Sequence, residues 1–458
     1  MKVGVSMMGH LPLKGKLGFA AGGGINAIGN FLHLSLLMIF LTDVVGIDAA
    51  AVGVMMLIAR IWDAINDPMC GILIDRSHGR NGKTRPWITA GGACMAVFCV
   101  LMFFSPDSGS GGKLAWSYFS YIGFGMSYTA CILAVFTLTS RVTLNPAERV
   151  SVSAWYNWGN ALTGTILGIF GLVIIKYLGN ASVSAGYLKF AAICGALVFL
   201  MSICCTYSNR ELQIEGSTQN KSLKRTARNI LKNRPLLIIV AVAMLLVTGN
   251  CISNGALLYY VTYNLKDDKL FSVLAPMAYI GMALSSFAAG WFAKRVGKRK
   301  SLLLLLAICV VCYAIRLLMH DSSLVIMFIL NAVFSFCSAL YMVIYLPMIV
   351  DMVDYGEYIT GERDDAVIMA ADTFQQKLGM GIASAVTGFI LDSAGYVPNA
   401  VEQQSRALDG IFACTVTIPL VLYAAAFVLL LFYKMNDKEL DDIRAELDKR
   451  RNTGTIEI

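Results

Sequence analysis

The chain has 458 residues, of which 57% are hydrophobic and only 14% charged, and its mean hydropathy is +0.66. Soluble domains carry about 25% charged residues. The composition therefore excludes a soluble globular domain and predicts a polytopic membrane protein. The formal net charge of +8 comes from Lys and Arg in short stretches directly beside apolar runs, which indicates membrane topology and not nucleic-acid binding.

Apolar runs long enough to cross a hydrocarbon core of about 30 Å recur along the whole chain, separated by short polar or Gly/Pro breaks. We predict an all-α integral membrane protein with twelve transmembrane helices. The predicted spans are residues 17–41, 48–74, 86–104, 113–141, 151–177, 185–207, 236–264, 270–294, 300–319, 323–350, 365–391 and 407–434.

The basic residues predict the orientation of the chain. Lys and Arg crowd the loops after the second and eighth spans and the centre of the chain, and the positive-inside rule places these loops and both termini in the cytoplasm. The N-terminal stretch MKVGVSMMGHLPLKGK continues into a long first span. No small-residue cleavage site follows a short apolar core, so we predict no removable signal peptide.

The 12 cysteines lie almost wholly within apolar segments, and we predict free thiols that pack as small hydrophobic groups. Cys309 and Cys312 have a redox-like spacing, but they stand in the Leu-rich ninth span without a His or an additional Cys close by in the sequence. We therefore predict neither redox nor metal chemistry for them.

A polar, basic stretch divides the twelve spans into six and six. We predict an N-terminal six-helix bundle at 1–207, a cytoplasmic central loop at 208–234, a C-terminal six-helix bundle at 235–434 and a cytoplasmic tail at 435–458. In the tail, Leu440, Ile443 and Leu447 recur at helical spacing, which predicts an amphipathic helix.

The two predicted bundles carry matching loops. GILIDR at 71–76 precedes a basic turn after the second span, and GWFAKR at 290–295 precedes one after the eighth span. Such internal duplication is typical of secondary transporters.

These motifs resemble a known family. GILIDRSHGRNGKTRPW at 71–87 resembles the loop signature of the major facilitator superfamily, and its ending KTRPW is similar to the variant of the glycoside-pentoside-hexuronide:cation symporters, which include sodium/melibiose permease. Further similar segments are TDVVGI at 42–47, ARIWDAINDP at 59–68, YT at 128–129, VDMVDYGEY at 350–358 and GYVPN at 395–399.

The resemblance covers nearly the whole chain and implies the major-facilitator fold, in which two six-helix bundles rock about a central site. It implies a secondary transporter, not an enzyme, that imports a sugar or glycoside with a monovalent cation across the bacterial inner membrane. The implied partners are the sugar, the cation and the lipid bilayer. The coupling ion, sodium, lithium or a proton, stands in place of a cofactor, and a monomer is the default for this fold.

Two carboxylates lie inside the otherwise apolar second span. Residues four apart on a helix lie about 6 Å from each other on one face, so Asp63, Asn66 and Asp67 converge. A carboxylate at membrane depth costs about 2.5 kcal/mol or more and needs a partner. Hard oxygen ligands suit a hard cation such as sodium. The alternative is that the acids pair with Arg60 or Lys377 and only hold helices together.

The resemblance favours the cation site. Symporters of this family use the two acids, the Asn between them and a Thr of the fourth helix to bind sodium, lithium or a proton. The matching positions here are Asp63, Asn66, Asp67 and Thr129. Among these ions, the presence of Asn66 favours sodium.

The sugar-binding positions depart from the melibiose permease pattern of an acid on helix 1, an acid on helix 4 and an Arg on helix 5. The corresponding positions fall at or next to Asn26, at Ile132 and at Asn157. Lys377 matches the family's lysine, whereas Asp372 stands where that permease has an amide. A galactoside held in the melibiose manner is therefore not expected.

We predict that the sugar instead contacts polar and aromatic groups, because a sugar offers hydroxyls to polar atoms and C–H faces to rings. The predicted contacts are Asn26, Asn30, His33, Trp155, Asn157, Asp372, Gln376 and Lys377. His33 has the alternative role of a helix–helix contact. A neutral glycoside and an anionic sugar, a hexuronide or sulfonated sugar, are equal alternatives, since Lys377 favours an anion and Asp372 disfavours one.

Charged residues near the ends of the second and tenth spans predict gates. Asp351 and Asp354 share a helical face and could reach Arg141 or Arg363, so we expect ion pairs that break and reform between conformations. The predicted gating residues are Asp75, Arg76, Arg141, Asp351, Asp354 and Arg363. The alternative is a capped, solvated helix end.

Other function classes are weaker. An enzyme is not indicated, because the sequence shows neither a spaced His/Asp/Cys constellation nor a soluble catalytic domain. A scaffold that binds a sugar without moving it, a proton-coupled symporter and an uncoupled uniporter or exchanger stay open at this stage.

Overall fold

A computed structural model describes residues 11–77, 82–143, 146–179, 182–209, 211, 233–320, 322–361, 365–400 and 402–452. Arg363 lies outside these ranges, as do nearly all residues of the predicted central loop. The side chains of Asp75 and Arg76 also lie outside the described part.

Helices and irregular segments make up the described residues, without a strand. The helices are α1 Leu13–Val44, α2 Ala49–Arg76, α3 Arg85–Met102, α4 Ser110–Val142, α5 Pro146–Leu178, α6 Val183–Ser208, α7 Arg234–Asn264, α8 Phe271–Val296, α9 Lys298–Met319, α10 Leu324–Thr360, α11 Asp365–Ser393, α12 Ser405–Leu431 and α13 Asp437–Asn452.

Ten of these helices are long and apolar enough to cross a membrane, and α8 and α11 cover the eighth and eleventh predicted spans. Helices form along the apolar runs because hydrocarbon offers backbone N–H and C=O groups no partner outside the helix. The all-helical prediction is confirmed for the described residues, whereas the count of twelve spans stays a prediction.

Within the described ranges, four stretches wind as π-helix inside longer helices: Phe31–Leu36 and Phe40–Val44 in α1, Tyr260–Asn264 at the end of α7, and Ala413–Thr417 in α12. A π-turn inserts one residue into the helical repeat and rotates the side chains that follow, and it is frequent at functional sites. Two of the four stretches end their helices.

The contacts divide the chain into two compact units. Unit 1 comprises the described residues of 1–216, 252–283 and 381–415, which include α1 to α6. Its α1 and α5 cross closely, since a Cβ on Gly23 would meet the backbone of Tyr156. Close backbone approach at small residues is how membrane helices gain packing energy. This crossing sets Asn26 of α1 near the middle of α5.

Unit 2 comprises the described residues of 217–251, 284–380 and 416–458, which include α9, α10 and α13. Its α10 continues ten residues beyond the predicted end and stops at Gly361, whose φ of 74° gives the left-handed cap that favours glycine. The predicted bundles at 1–207 and 235–434 stay a prediction, since the contact-based units divide the chain differently.

The tail forms the predicted amphipathic helix, α13, with Leu440, Ile443 and Leu447 buried. The 12 cysteines are thiols outside any disulfide, and most are buried, as predicted.

Candidate cation and substrate sites

The second helix carries the predicted cation ligands on one turn. Helix α2 runs unbroken through Pro68. Because proline has no N–H, the carbonyl oxygen of Ala64 lacks its usual helical donor four residues on. One backbone oxygen therefore lies in the same turn as Asp63 and Asp67.

Asp63 lies against the fourth helix. Its side chain is buried, with 4% of the residue exposed. A Cβ on Gly125 of α4 would lie only 2.5 Å from Asp63 Oδ1, so glycine is what admits the carboxylate at that point. Thr129, also buried, lies one turn further on the same face of α4. The structure thus directs Asp63 toward the helix face that carries the predicted threonine ligand.

Asp63 also has a cationic neighbour in its own helix. Arg60 Nη1 donates to Asp63 Oδ2 at 3.1 Å, and both residues are buried. The Arg60 guanidinium lies over the ring of Tyr121 in α4, 5.8 Å from its centroid. The alternative to a cation site is that the acids pair with Arg60 or Lys377. The ion pair between Asp63 and Arg60 is present. The pair itself lies within α2, so it does not bridge two helices.

Asn66 and Asp67 complete the turn. Asn66 is buried, its Oδ1 accepts a weak hydrogen bond from Cys70 Sγ at 3.5 Å, and its Nδ2 makes none within the described ranges. Asp67 is half-buried. The turn from 60 to 67 thus holds two carboxylates, an amide and one guanidinium in an apolar helix.

The predicted sugar contacts of unit 1 begin with an Asn–Tyr pair. The Tyr128 hydroxyl of α4 donates to Asn26 Oδ1 of α1. His33 is 3% exposed, its Nδ1 bonds the Gly29 carbonyl at 2.8 Å, and its ring packs near Phe124 and Tyr128. These contacts favour the alternative role for His33, a helix–helix contact.

Helix α5 adds further uncharged polar groups. Trp155 is half-buried and Asn157 exposed. Tyr156 packs against Phe136 of α4 at 5.2 Å between ring centroids, and the Tyr156 hydroxyl is a buried oxygen without a hydrogen bond from the described residues. The amide oxygen of Asn160, one turn further on, is also buried without a hydrogen bond from the described residues. Asn30 of α1 is half-buried.

In unit 2, Asp372 of α11 is held by three donors. The Tyr345 hydroxyl donates to Oδ1 at 2.5 Å, Gln375 Nε2 to Oδ1 at 3.1 Å and Gln376 Nε2 to Oδ2 at 3.0 Å. Asp372 is buried, so these three donors satisfy its carboxylate within the protein. Lys377, the remaining predicted contact, is half-buried. The predicted sugar contacts therefore fall in both units.

The gating acids of α10 have partners that the sequence analysis missed. Asp351 is 2% exposed, and its two oxygens accept from Lys298 Nζ at 2.6 Å and Arg444 Nη2 at 2.7 Å. Arg444 Nε also donates to Asp354 Oδ2 at 3.0 Å. The expected pairing of these acids with Arg141 or Arg363 stays a prediction, since Arg363 lies outside the described residues. The amphipathic tail supplies the cation because α10 runs on far enough to meet α13.

Arg141 has its own partner in unit 1. Its Nη1 lies 3.7 Å from Oε1 of Glu211, and Glu211 also accepts from the backbone N–H and hydroxyl of Thr84. Glu211 lies in the polar stretch that the sequence presents as a linker, so no pattern singled it out.

Comparison with known proteins agrees with this architecture. A profile for MFS/sugar transport proteins matches residues 18–437. The isoprimeverose transporter of Lactiplantibacillus pentosus is 32% identical over 90% of this chain and 87% of its own. The putative glycoside/cation symporter YagG of Escherichia coli K12 is 27% identical over 96–97% of both chains. A bacterial homologue of the human lysosomal transporter Spinster has the same fold, with a TM-score of 0.68 at 12% identity over 93% of this chain and 97% of that one.

The fold and the matching relatives define a multi-pass membrane transporter of the major facilitator superfamily, and not an enzyme. The chain belongs to the MFS/sugar transport protein family and, within it, to the glycoside-pentoside-hexuronide:cation symporters that its motifs resemble. It is therefore a sugar transporter of the symporter class.

Proposed function

We propose that the chain imports a neutral sugar or glycoside across the bacterial inner membrane by alternating access. A monovalent cation is transported with it, and sodium is the ion we favour. Twelve spans would carry it, with both termini and the basic loops in the cytoplasm. Family membership and the alternation of basic loops support this orientation.

The observation that carries the cation site is the burial of Asp63 against Gly125 of α4. It brings a carboxylate to the helix face that holds Thr129, with Asn66 and Asp67 on the same turn of α2. Carboxylate, amide, hydroxyl and backbone oxygens are hard ligands that suit sodium or lithium.

The charge of this turn fits a monovalent ion. Arg60, Asp63 and Asp67 together carry a formal net charge of −1, which one monovalent cation neutralises and a divalent cation would overshoot. Neutralising buried charge lowers the cost of closing the protein around its cargo. Ion and sugar then raise each other's affinity by the same factor, as linkage requires.

Uncharged polar groups support a neutral substrate. The unit 1 candidates Asn26, Tyr128, Tyr156, Asn157 and Asn160 offer amides and hydroxyls but no positive charge to an anion. In unit 2, Lys377 carries a positive charge that would favour an anionic sugar, so the experiment below includes anionic sugars. Sugars bind where a few fixed polar atoms are set among apolar walls.

The test is the thermal stability of the purified protein against neutral glycosides, hexuronides and sulfonated sugars, each in sodium, lithium and choline buffer. A ligand that binds the folded state raises its melting temperature with occupancy. The proposal expects a neutral glycoside to stabilise in sodium and far less in choline. Equal stabilisation in all three buffers would replace sodium coupling by proton coupling or uniport.

A further inference from the structure

One carboxylate in unit 1, that of Asp43, gathers hydrogen bonds from widely separated parts of the chain. Asp43 Oδ1 accepts from the Tyr396 hydroxyl at 2.6 Å and from Thr42 Oγ1 at 2.7 Å, and Oδ2 accepts from the Tyr263 hydroxyl at 2.5 Å. Asn399 Nδ2 donates to the Asp43 backbone carbonyl. Thr42 Oγ1 further bonds the Tyr259 hydroxyl at 2.8 Å.

These residues belong to three segments that are far apart in sequence: the end of α1, the end of α7 and the loop between α11 and α12. We call the set Thr42, Asp43, Tyr259, Tyr263, Tyr396 and Asn399 the Asp43 cluster. Its aromatic members also pack edge-on, with Tyr396 5.4 Å from both Tyr259 and Tyr263 between ring centroids. The cluster explains two motifs, TDVVGI and GYVPN, to which the transport sites assign no role.

Irregular backbone geometry accompanies three members of the cluster. Asp43 lies in the π-helical stretch Phe40–Val44, and Tyr263 lies in the π-helical stretch Tyr260–Asn264. Asn399 adopts a left-handed backbone with φ of 57°, unusual outside glycine. Irregular backbone at three converging points is costly, so it persists where the contacts it makes over-determine it.

Tight helix crossings accompany the cluster in unit 1. A Cβ on Gly53 of α2 would lie 2.8 Å from the Ser384 carbonyl of α11, and one on Gly168 of α5 would lie 3.0 Å from Pro276 of α8. Near the same end, Lys176 and Asp268 form an ion pair of 2.5 Å. Helices α8 and α11 thus pack directly on the first six helices here.

We propose that the Asp43 cluster is a latch that holds this end of the transporter closed and has to release in every transport cycle. By the proposed orientation this is the periplasmic end. The latch consists of hydrogen bonds centred on Asp43 and Thr42, which water can replace when the end opens. The inference rests on alternating access in this transporter class and not on the identity of the sugar or the ion.

Tyr396 is suited to such a latch. Burial, followed by the charge of Asp43, raises the pKa of Tyr396 well above its usual range. The phenol therefore stays protonated and remains a donor at every physiological pH. The cluster is a hydrogen-bonded closure and does not depend on a salt bridge.

A crosslinking assay without sugar or ion gradient tests the latch. Lys176 and Asp268 are replaced by cysteine in a background where the exposed Cys94 and Cys204 are serine, and a short bis-maleimide is added to the purified full-length protein. Mass spectrometry of the joined peptides measures the closed fraction. Asp43→Asn and the double variant Tyr263→Phe/Tyr396→Phe are compared with Tyr118→Phe, a half-buried tyrosine of α4 outside the cluster.

We expect both latch variants to lose crosslinked product by about three-fold or more, which corresponds to a population shift of at least about 0.7 kcal/mol at the closed end, while Tyr118→Phe matches the parent. Sugar-induced thermal stabilisation should persist in the variants, whereas their rate of uptake falls. Unchanged crosslinking in variants that are monodisperse and helical would overturn the latch. If Asp43→Asn does not fold, the proposal is tested with the double Phe variant, which removes only two hydroxyls. The crosslinking assay contains no substrate. Its result therefore tests the latch even if the proposed sugar or coupling ion proves wrong.

Discussion

Asp63 combines two properties that a coupling carboxylate needs: burial in an apolar helix and a fixed neighbour of opposite charge, Arg60. The guanidinium pairs with the carboxylate, and in the proposed cation site Asp67 on the same face would supply the negative charge that a cation offsets. A buried ion pair adds little net stability, but an unpaired buried charge is strongly destabilising.

Asp63→Asn should abolish sodium dependence. The amide keeps the size of the side chain but removes its charge and with it the ion pair with Arg60. Concentrative uptake should fall at least about ten-fold, the scale of one lost ionic ligand, while any remaining sugar exchange becomes independent of sodium. Uptake in sodium and choline measures this. Asp107→Asn, at an exposed loop position, is the matched control.

Gly125→Ala tests the geometry around Asp63 without removing a ligand. The added methyl would lie 2.5 Å from Asp63 Oδ1, so the carboxylate has to move. We expect sodium affinity to weaken by about ten-fold, or 1.4 kcal/mol, as measured by the sodium concentration that half-activates uptake. Gly111→Ala on the same helix meets nothing within 4 Å and should leave that concentration unchanged. An unaltered half-activation in Gly125→Ala would remove Asp63 from the cation site.

Sequence reasoning found the acids of α2 because a charge inside an apolar run is conspicuous. It could not find Gly125 or the Tyr128–Asn26 bond, because those depend on which face of α4 meets α2 and α1. It left His33 open between a sugar contact and a helix–helix contact, and the ring contacts with Phe124 and Tyr128 favour the second role. A polar residue in an apolar helix gives no sign by itself of whether it faces a cavity or a neighbouring helix.

At the scale of elements, hydropathy predicted the helices well, since each apolar run must satisfy its own backbone in lipid. It ended α10 too early, because the run VDMVDYGEY looks polar. The helix continues to Thr360 since Asp351 is neutralised from two sides, by Lys298 of α9 and Arg444 of α13. Tertiary partners thus extended a helix beyond its apolar pattern.

Arg444→Gln should loosen α13 from α10. The hydrogen bond to Asp354, supported by the charges of Asp351 and Asp354, raises the pKa of Arg444 above its usual value, so the guanidinium stays charged at any physiological pH. The side chain is 42% exposed, and we therefore expect a loss of only about 1 kcal/mol. Limited proteolysis of the tail should become faster, with Lys449→Gln, on an exposed position of α13, as control. Equal cleavage rates would show that the buried apolar residues alone hold the tail.

At the scale of the whole molecule, the family follows from motifs spread over nearly the full length, and the matching profile over 18–437 confirms it. The coupling ion and the substrate do not follow in the same way, because they depend on a few contacts among many similar polar groups. The predicted sugar contacts fall in both units, and sequence spacing carries no information on the placement of residues from different helices.

The most direct measurement is uptake of the stabilising sugar into proteoliposomes under an imposed inward sodium gradient, beside choline and an imposed pH gradient. We predict accumulation above equilibrium with the sodium gradient only, and loss of that accumulation in Asp63→Asn. Accumulation driven by the pH gradient in the absence of sodium, or equilibration without accumulation under any gradient, would contradict sodium-coupled symport.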